Sequence, residues 1–411
     1  MALPDAAQLE DVLHLRQQLY VLYHRPQAEE SQIWIRPLSP QGTAVASAQL
    51  LASIPLDEQF RSQQFDVEFN RDSSYLLLYN QYPPRKNGAE RYTLRVFDAH
   101  FEAIWSLDIQ LPYADRDFSV QEYRVDPEGN VYVLGRYAPL QANGRRKPAT
   151  YLIVAYTRQG QTRTTYRIEL DEVWVRALSF RLAPAGEIVC AGFYQRKSKP
   201  EDVGICHLRI DPHSREIHTV HLPSLQDQET VQKLPAQDFR LRQLALRSDG
   251  GVVLTAEQFT RNQSTAFTYN GPARLDIYSY QDILLANVAP DGNFSWVRRI
   301  PKIQTSINDG GVFSSFAQAT IADRFYFLYN DSKARFQPTG RHHNGEYLKP
   351  ERSVLTLTEV DRAGRVQTKP LLLHADQEVV TLPRWCRQVG PRQMLLYALS
   401  GRKYALGLVE F

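Results

Sequence analysis

Apolar residues in this chain recur at every second position or stand in short consecutive runs, and no long segment holds a helical spacing. The stretch "RVDPEGNVYVLGRYAP" from Arg124 shows the common form: a short strand, a tight turn, an apolar run and then a polar loop. The outline returns in "EFNRDSSYLLLYNQ" from Glu68, "RLAPAGEIVCAGFYQ" from Arg181, "ALRSDGGVVLTAEQF" from Ala245, "TIADRFYFLYND" from Thr320 and "QVGPRQMLLYALS" from Gln388. A second hairpin follows in most copies, as in "YTLRVFDAHFEAIWSLDI", with its turn at Asp98, Arg158, Asp211, Asp291 and Asp361. Alternation with a period of two, punctuated by Asp, Asn, Pro and Gly, predicts antiparallel strands joined by hairpins. Asp126, Glu128 and Asn130 around Gly129 could also be read as a calcium loop. The equivalent turns, "APAGE", "RSDGG" and "VGPRQ", do not repeat the oxygens, so turn chemistry is the better reading and no metal is expected.

The repeating unit is therefore four strands, A to D, with A strands beginning near residues 12, 64, 120, 177, 238, 316 and 385. That makes six full units and a seventh with strands A, B and C. Strand B is apolar on consecutive positions, as expected where both faces of a sheet are covered. Four-stranded sheets in series are the signature of a propeller. The chain resembles an all-β, seven-bladed β-propeller of four-stranded antiparallel blades over nearly its whole length. The expected blades are 10–55, 63–111, 119–170, 176–222, 237–300, 314–374 and 383–411, in a single domain of residues 1–411. The last blade is expected to be three-stranded or closed by the N-terminal stub, unless native N-terminal residues are missing. The resemblance is to the architecture. Trp-Asp repeat endings, kelch double glycines and sialidase Asp boxes are all absent, so no family is assigned. In turn style the chain is similar to bacterial extracytoplasmic propellers of unassigned role.

Composition changes this picture little. A content of 43% hydrophobic and 23% charged residues fits a globular protein, and 22 Tyr with 18 Phe fit strands. No apolar run approaches a membrane span. The opening "MALPDAAQLEDVLHL" lacks the pattern of a signal peptide, although a mature chain trimmed of its leader would look the same. The compartment stays open, with a lean toward extracytoplasmic. Cys190, Cys206 and Cys386 are an odd number and are expected as buried free thiols rather than a disulfide framework.

Charge matters by its distribution, since the net value is only +3. In a propeller blade the B–C loops share one face with the D–A crossovers. The B–C loops, taken as 24–32, 80–91, 137–150, 194–203, 258–281, 330–352 and 400–403, are basic in sum. The crossovers are acidic in sum, through residues such as Asp57, Glu58, Asp115, Asp117, Asp171, Glu172, Asp227, Glu229, Asp376 and Glu378. The basic loops carry Arg85 and Lys86, then Arg145, Arg146 and Lys147, and later Arg341 and His342, with Tyr278, Tyr280 and Tyr347 interleaved. Arg with Tyr is a recognition composition, although exposed loops are polar for solvation alone. Trp174 beside Asp171 and Glu172 is the candidate for stacking on a carbohydrate.

Site motifs are absent: there is no GxxxxGK[ST], GxGxxG, HExxH or GxSxG. No catalytic residue, metal ligand or cofactor is assigned. His218 and His221 on one strand point to opposite faces and cannot chelate together. The expected function is a non-enzymatic binding scaffold presenting basic, Tyr-rich loops to a protein or anionic polymer such as a glycan. One alternative is a carbohydrate-active hydrolase or lyase using the crossover carboxylates. The other is a subunit of a larger bacterial envelope assembly. Nucleic acid is disfavoured, because the acidic crossovers would oppose phosphate.

Overall fold

In the computed structural model the described residues are 3–411, except 28, 40–42, 56–63, 71, 86–87, 142, 229–238, 269–270, 337–348 and 402. Strand is the dominant element, and no helix is long and apolar enough to cross a membrane. The first sheet holds β1 (Gln8–Leu15), β2 (Gln18–Pro26), β3 (Glu30–Leu38) and β4 (Gln49–Pro55). The second holds β5 (Gln64–Phe69), β6 (Leu76–Gln81), β7 (Ala89–Phe97) and β8 (Ala103–Ala114). The third holds β9 (Phe118–Val125), β10 (Val131–Tyr137), β11 (Thr150–Thr157) and β12 (Thr162–Ile168). The fourth holds β13 (Val173–Leu182), β14 (Ile188–Arg196), β15 (Val203–Ile210) and β16 (Ile217–His221).

The fifth sheet holds β17 (Phe239–Leu246), β18 (Val252–Thr268), β19 (Gly271–Val288) and β20 (Phe294–Ile300), with β21 (Gln304–Ile307) added beside β19. The sixth holds β22 (Ala317–Ile321), β23 (Arg324–Ser332), β24 (Ser353–Val360) and β25 (Val366–Leu373). In the seventh, β26 (Val380–Thr381) and β27 (Arg387–Gly390) both pair with β28 (Gln393–Ser400), whose other neighbour is β29 (Lys403–Glu410). These seven antiparallel sheets, the first six meandering in chain order, are the plan of an all-β, seven-bladed propeller. The seventh has strand positions A, B and C among the described residues. Its A position is broken by a 3-10 turn at Pro383–Trp385.

By contacts the chain divides into two compact units: Met1–Ile188 with Asp211–Glu216, and Val189–Ile210 with Ile217–Phe411. In each, B strands hold consecutive buried residues because apolar residues cover both faces, as in Leu76–Tyr79 and Val252–Leu254. Within the first unit, Leu22, Ile33 and Ile35 of the first sheet pack with Leu76 and Leu78 of the second. The opposite face of the second sheet, through Leu77, Leu94 and Val96, packs with Val131, Val133 and Val154 of the third. Within the second unit, Leu285 and Ile300 of the fifth sheet meet Phe325 and Phe327 of the sixth. Each such side chain contributes roughly 1.5–3 kcal/mol on burial, so the face-to-face stack carries most of the stability.

The turns form as their sequence demands. Asp126 accepts from the Glu128 and Asn130 amides through Oδ1 and from Asn130 Nδ2 through Oδ2. Gly129 takes a φ of 75°, a conformation that favours glycine. Asp98, Asp211, Asp291 and Asp361 accept amide hydrogens two residues on in the same manner. The Trp105 indole then donates to the Gly129 carbonyl, and the Trp296 indole to the Arg362 carbonyl, tying one sheet to a turn of the next. Cys190, Cys206 and Cys386 are buried free thiols.

One B–C segment departs from expectation. Residues 258–281 are largely strand: β18 and β19 continue as a hairpin arm paired from Phe259↔Tyr280 out to Thr268↔Gly271. The added strand β21 flanks its base. Polar residues on both faces leave this strand without apolar alternation.

Candidate functional site

Chemistry-bearing side chains gather where the innermost strands carry β-bulges. In β1 the register slips between Leu9 and Asp11, leaving Glu10 as the extra residue. In β9 Val120 pairs with Gly135 and Glu122 with Leu134, leaving Gln121 extra. In β17 the slip falls between Leu241 and Gln243, at Arg242. A bulge re-aims the residue it inserts, and here each inserted residue is polar.

In the first unit, Glu10 and Gln121 help line a cavity of about 490 Å³ with Phe65, Asp66, Tyr79, Gln81, Val120 and Tyr123. That volume suits a small ligand. The Tyr79 and Tyr123 rings stack with centroids 4.5 Å apart and planes 19° from parallel. The Tyr123 hydroxyl donates to Asp66, and the His24 ring pairs with Glu10. Burial pushes both tyrosine pKa values upward, so both stay neutral phenols. Tyr79 is 5% exposed, and its hydroxyl has no hydrogen-bond partner among the described residues. Gln81 is held from behind by Glu90, whose Oε1 accepts from Gln81 Nε2 at 2.8 Å. Burial first, and Asp115 second, push the Glu90 carboxyl up to about 7.

Beside the cavity a ladder of charges crosses the inner strands. Arg124 bridges Glu68 at 2.9 Å and Glu122, and Arg181 reaches Glu122 at 2.6 Å. Ser179 Oγ also donates to Glu122, at 2.6 Å. Burial raises the Glu68 carboxyl pKa, against the pull of Arg124. The ladder satisfies its own members and fixes the strands that carry Asp66 and Tyr123.

The second unit holds a denser network at the third bulge. Lys302 and Glu257 are both fully buried and meet at 2.7 Å. Glu257 also accepts from Arg242 Nη2 at 2.8 Å and from Ser315 Oγ at 2.7 Å. Lys302 Nζ donates besides to Gln304 Oε1 at 2.8 Å, and Gln304 Oε1 accepts from the Ser315 amide. Burial pushes the Lys302 pKa down, with Glu257 pulling the other way. These residues satisfy one another, so the network reads as structural, pinning the base of the hairpin arm.

Arg85, Arg145, Arg146 and Lys147 are exposed. Arg146 leans back to the Ala138 carbonyl at 2.7 Å. Tyr278 is half-buried under Arg261, and Tyr280 is buried under Arg384 and Lys302, so Tyr280 is engaged internally rather than offered to a partner. Trp174 is partly buried in β13. Lys86, Arg341, His342 and Tyr347 lie outside the described residues.

The crossover carboxylates mostly serve the loops or face outward. Asp115 Oδ2 accepts the Arg85 amide at 2.8 Å, and Asp117 Oδ1 accepts the Leu140 amide at 3.1 Å. Asp171, Glu172, Asp227, Asp376 and Glu378 are exposed, while Asp57, Glu58 and Glu229 lie outside the described residues. The carboxylates at the cavity are instead Glu10 and Asp66, on inner strands. Their signal in the sequence was slight: acids within "QLEDV" and "QFDVEF", where solvated strand faces look the same.

No family model and no curated protein matches the chain. Among solved structures, the β-propeller domain of the Trilobed protease from Pyrococcus furiosus is 11% identical. Its match covers 91% of this chain and 98% of that one, at a TM-score of 0.37. The WD40 domain of SCAP from fission yeast is 8% identical over 99% and 98% of the two chains, at 0.32. A mutant of Synechocystis apocarotenoid oxygenase is 12% identical over 97% and 71%, at 0.35. At such TM-scores the likenesses carry no argument about this chain.

Proposed function

We propose that the protein is a non-enzymatic binding scaffold whose recognition site is the inner-strand cavity of the first unit. The observation that carries the reading is the preorganisation of that cavity. Asp66 is engaged by Tyr123, Glu10 by His24 and Gln81 by Glu90, and the two tyrosines are stacked. Side chains fixed before a ligand arrives lose little freedom on binding, which favours affinity. A hydrolase would need an acid of raised pKa at the reacting bond; Glu90 is 3% exposed behind Gln81, and Glu68, also raised, is taken up by Arg124.

The test is a small-molecule screen by ligand-observed NMR on the full chain and on Asp66→Asn. Ligands that bind the native chain, lose binding in the variant and emerge chemically unchanged support the scaffold. Turnover that disappears in Asp66→Asn would establish an enzyme instead.

A second surface is favoured by the exposure of Arg145, Arg146 and Lys147 beside exposed Arg85. This cluster suits an anionic polymer or an acidic protein. Reversing the three charges of residues 145–147 is expected to lower the salt needed for elution from heparin. Unchanged elution removes the idea.

A further inference from the structure

We propose that the cavity of the first unit takes an organic cation, a protonated or quaternary amine, held between the Tyr79–Tyr123 stack and the carboxylates of Glu10 and Asp66. The inference rests on the cavity being the recognition site and adds the class of its ligand.

Charge is the first argument. The lining holds two carboxylates and no Lys or Arg. The nearest guanidinium in sequence, that of Arg124, is taken up by Glu68 and Glu122. Glu10 is paired with the His24 ring, whereas Asp66 has its donor in Tyr123, a phenol that brings no positive charge, so the unanswered charge is that of Asp66. A neutral sugar would leave that negative potential unanswered, and an anion would be repelled by it.

The rings are the second argument. Several aromatic faces elsewhere in the chain carry one of its own cations. Arg91 lies over Tyr82, Arg196 over Tyr194, Arg240 over Phe259, Arg261 over Tyr278 and Arg384 over Tyr280. Among the described residues, Tyr79 and Tyr123 have no such cation, although they stand beside carboxylates. A phenol that donates its hydrogen to a carboxylate gains electron density in its ring, which strengthens attraction for a cation over the face. Tyr79 itself is 5% exposed, with Tyr123 stacked on it and the Tyr92 ring 5.6 Å away, so Tyr123 offers the ring surface, and a methylated ammonium could pack its polarised methyls against it.

The probes are choline and n-butylamine, with maltotriose and inorganic phosphate as the competing chemistries, each titrated by calorimetry into the full chain at fixed ionic strength. Asp66→Asn removes one carboxylate without changing shape. Gln121→Arg, at an exposed position on the rim, supplies an internal cation. Saturable binding of either amine, weakened tenfold or more in Asp66→Asn and abolished in Gln121→Arg, is the expected result. If maltotriose or phosphate binds instead, with both variants weakening it, the cation is overturned while the cavity remains the site. Amine binding indifferent to both variants overturns the cavity as well. The absence of amine binding in a chain whose near-ultraviolet circular dichroism is native also overturns the cation.

Discussion

Replacing Glu257 by Gln is expected to expose the cost of the buried lysine. In the native chain Lys302 Nζ is bonded to Glu257 and to the side-chain amide of Gln304, and the Asp331 carboxylate also favours its charge. The substitution keeps the shape and removes the charge, so an ammonium with no exposure loses its bonded counterion and keeps only the influence of Asp331. Breaking a buried pair in this way costs about 3–5 kcal/mol. The lysine has one escape, which is to discharge. Driving the proton off an ordinary lysine costs about 4.6 kcal/mol at pH 7 and only about 1.9 kcal/mol at pH 9. Those figures cap the loss at each pH.

The sign follows from the depressed pKa of the folded variant. Its neutral Lys302 is favoured by folding, so stability lost at pH 7 returns as pH rises toward the unfolded value near 10.4. Urea unfolding followed by tryptophan fluorescence at pH 7, 8 and 9 reads the effect. The deficit of Glu257→Gln relative to the native chain should shrink by about 1.4 kcal/mol per pH unit once discharge sets the limit. Adding Lys302→Met should recover most of it, because Arg242 is partly exposed and can rehydrate. A deficit below about 1 kcal/mol, or one that is flat between pH 7 and 9, would refute the reasoning.

Two further outcomes follow from packing. His207 has no exposure and stacks on His221 at 5.9 Å, and burial, then Arg209 and His221, push its pKa down to about 4. The neutral ring is the folded form, so stability is full above pH 6.5 and falls by about 3 kcal/mol as pH drops toward 4. His207→Leu should flatten that acid limb in urea titrations, and an unchanged limb would assign the loss to other groups. At Gly135 an added Cβ would stand 1.9 Å from Phe118 Cζ, so Gly135→Ala should cost about 1–3 kcal/mol. Relief by Phe118→Leu in thermal denaturation identifies the clash as the cause, and a cost that persists in the double variant sinks it.

Much of the architecture was legible because strands and turns announce themselves locally. Alternation marked the B and C strands, and the Asp residues that accept amides two positions on marked the turns, as at Asp98, Asp126 and Asp361. The hairpin arm was not legible. Its outer residues, such as Arg261, Asn262, Gln263 and Ser264, are exposed on both faces, so no apolar period betrays a strand. The cavity was hidden for a different reason. Glu10 and Gln121 reach it through bulges, and a bulge is a property of pairing with a distant strand rather than of the inserted residue. The crossover acids are conspicuous in the sequence by charge alone, yet Asp115 and Asp117 hold loop amides.

The indole bonds from Trp105 to Gly129 and from Trp296 to Arg362 bear on how load and disorder travel through the molecule. Each indole sits on the outermost strand of its sheet, the strand with only one neighbour to hold it. Anchored to the following turn, that strand cannot peel outward without pulling on the next sheet. Fraying at the rim therefore becomes a shared event between sequential sheets. Hydrogen exchange of the β8 and β20 amides should track that of the turns at Asp126 and Asp361, as if rim strand and neighbouring turn were one mechanical element.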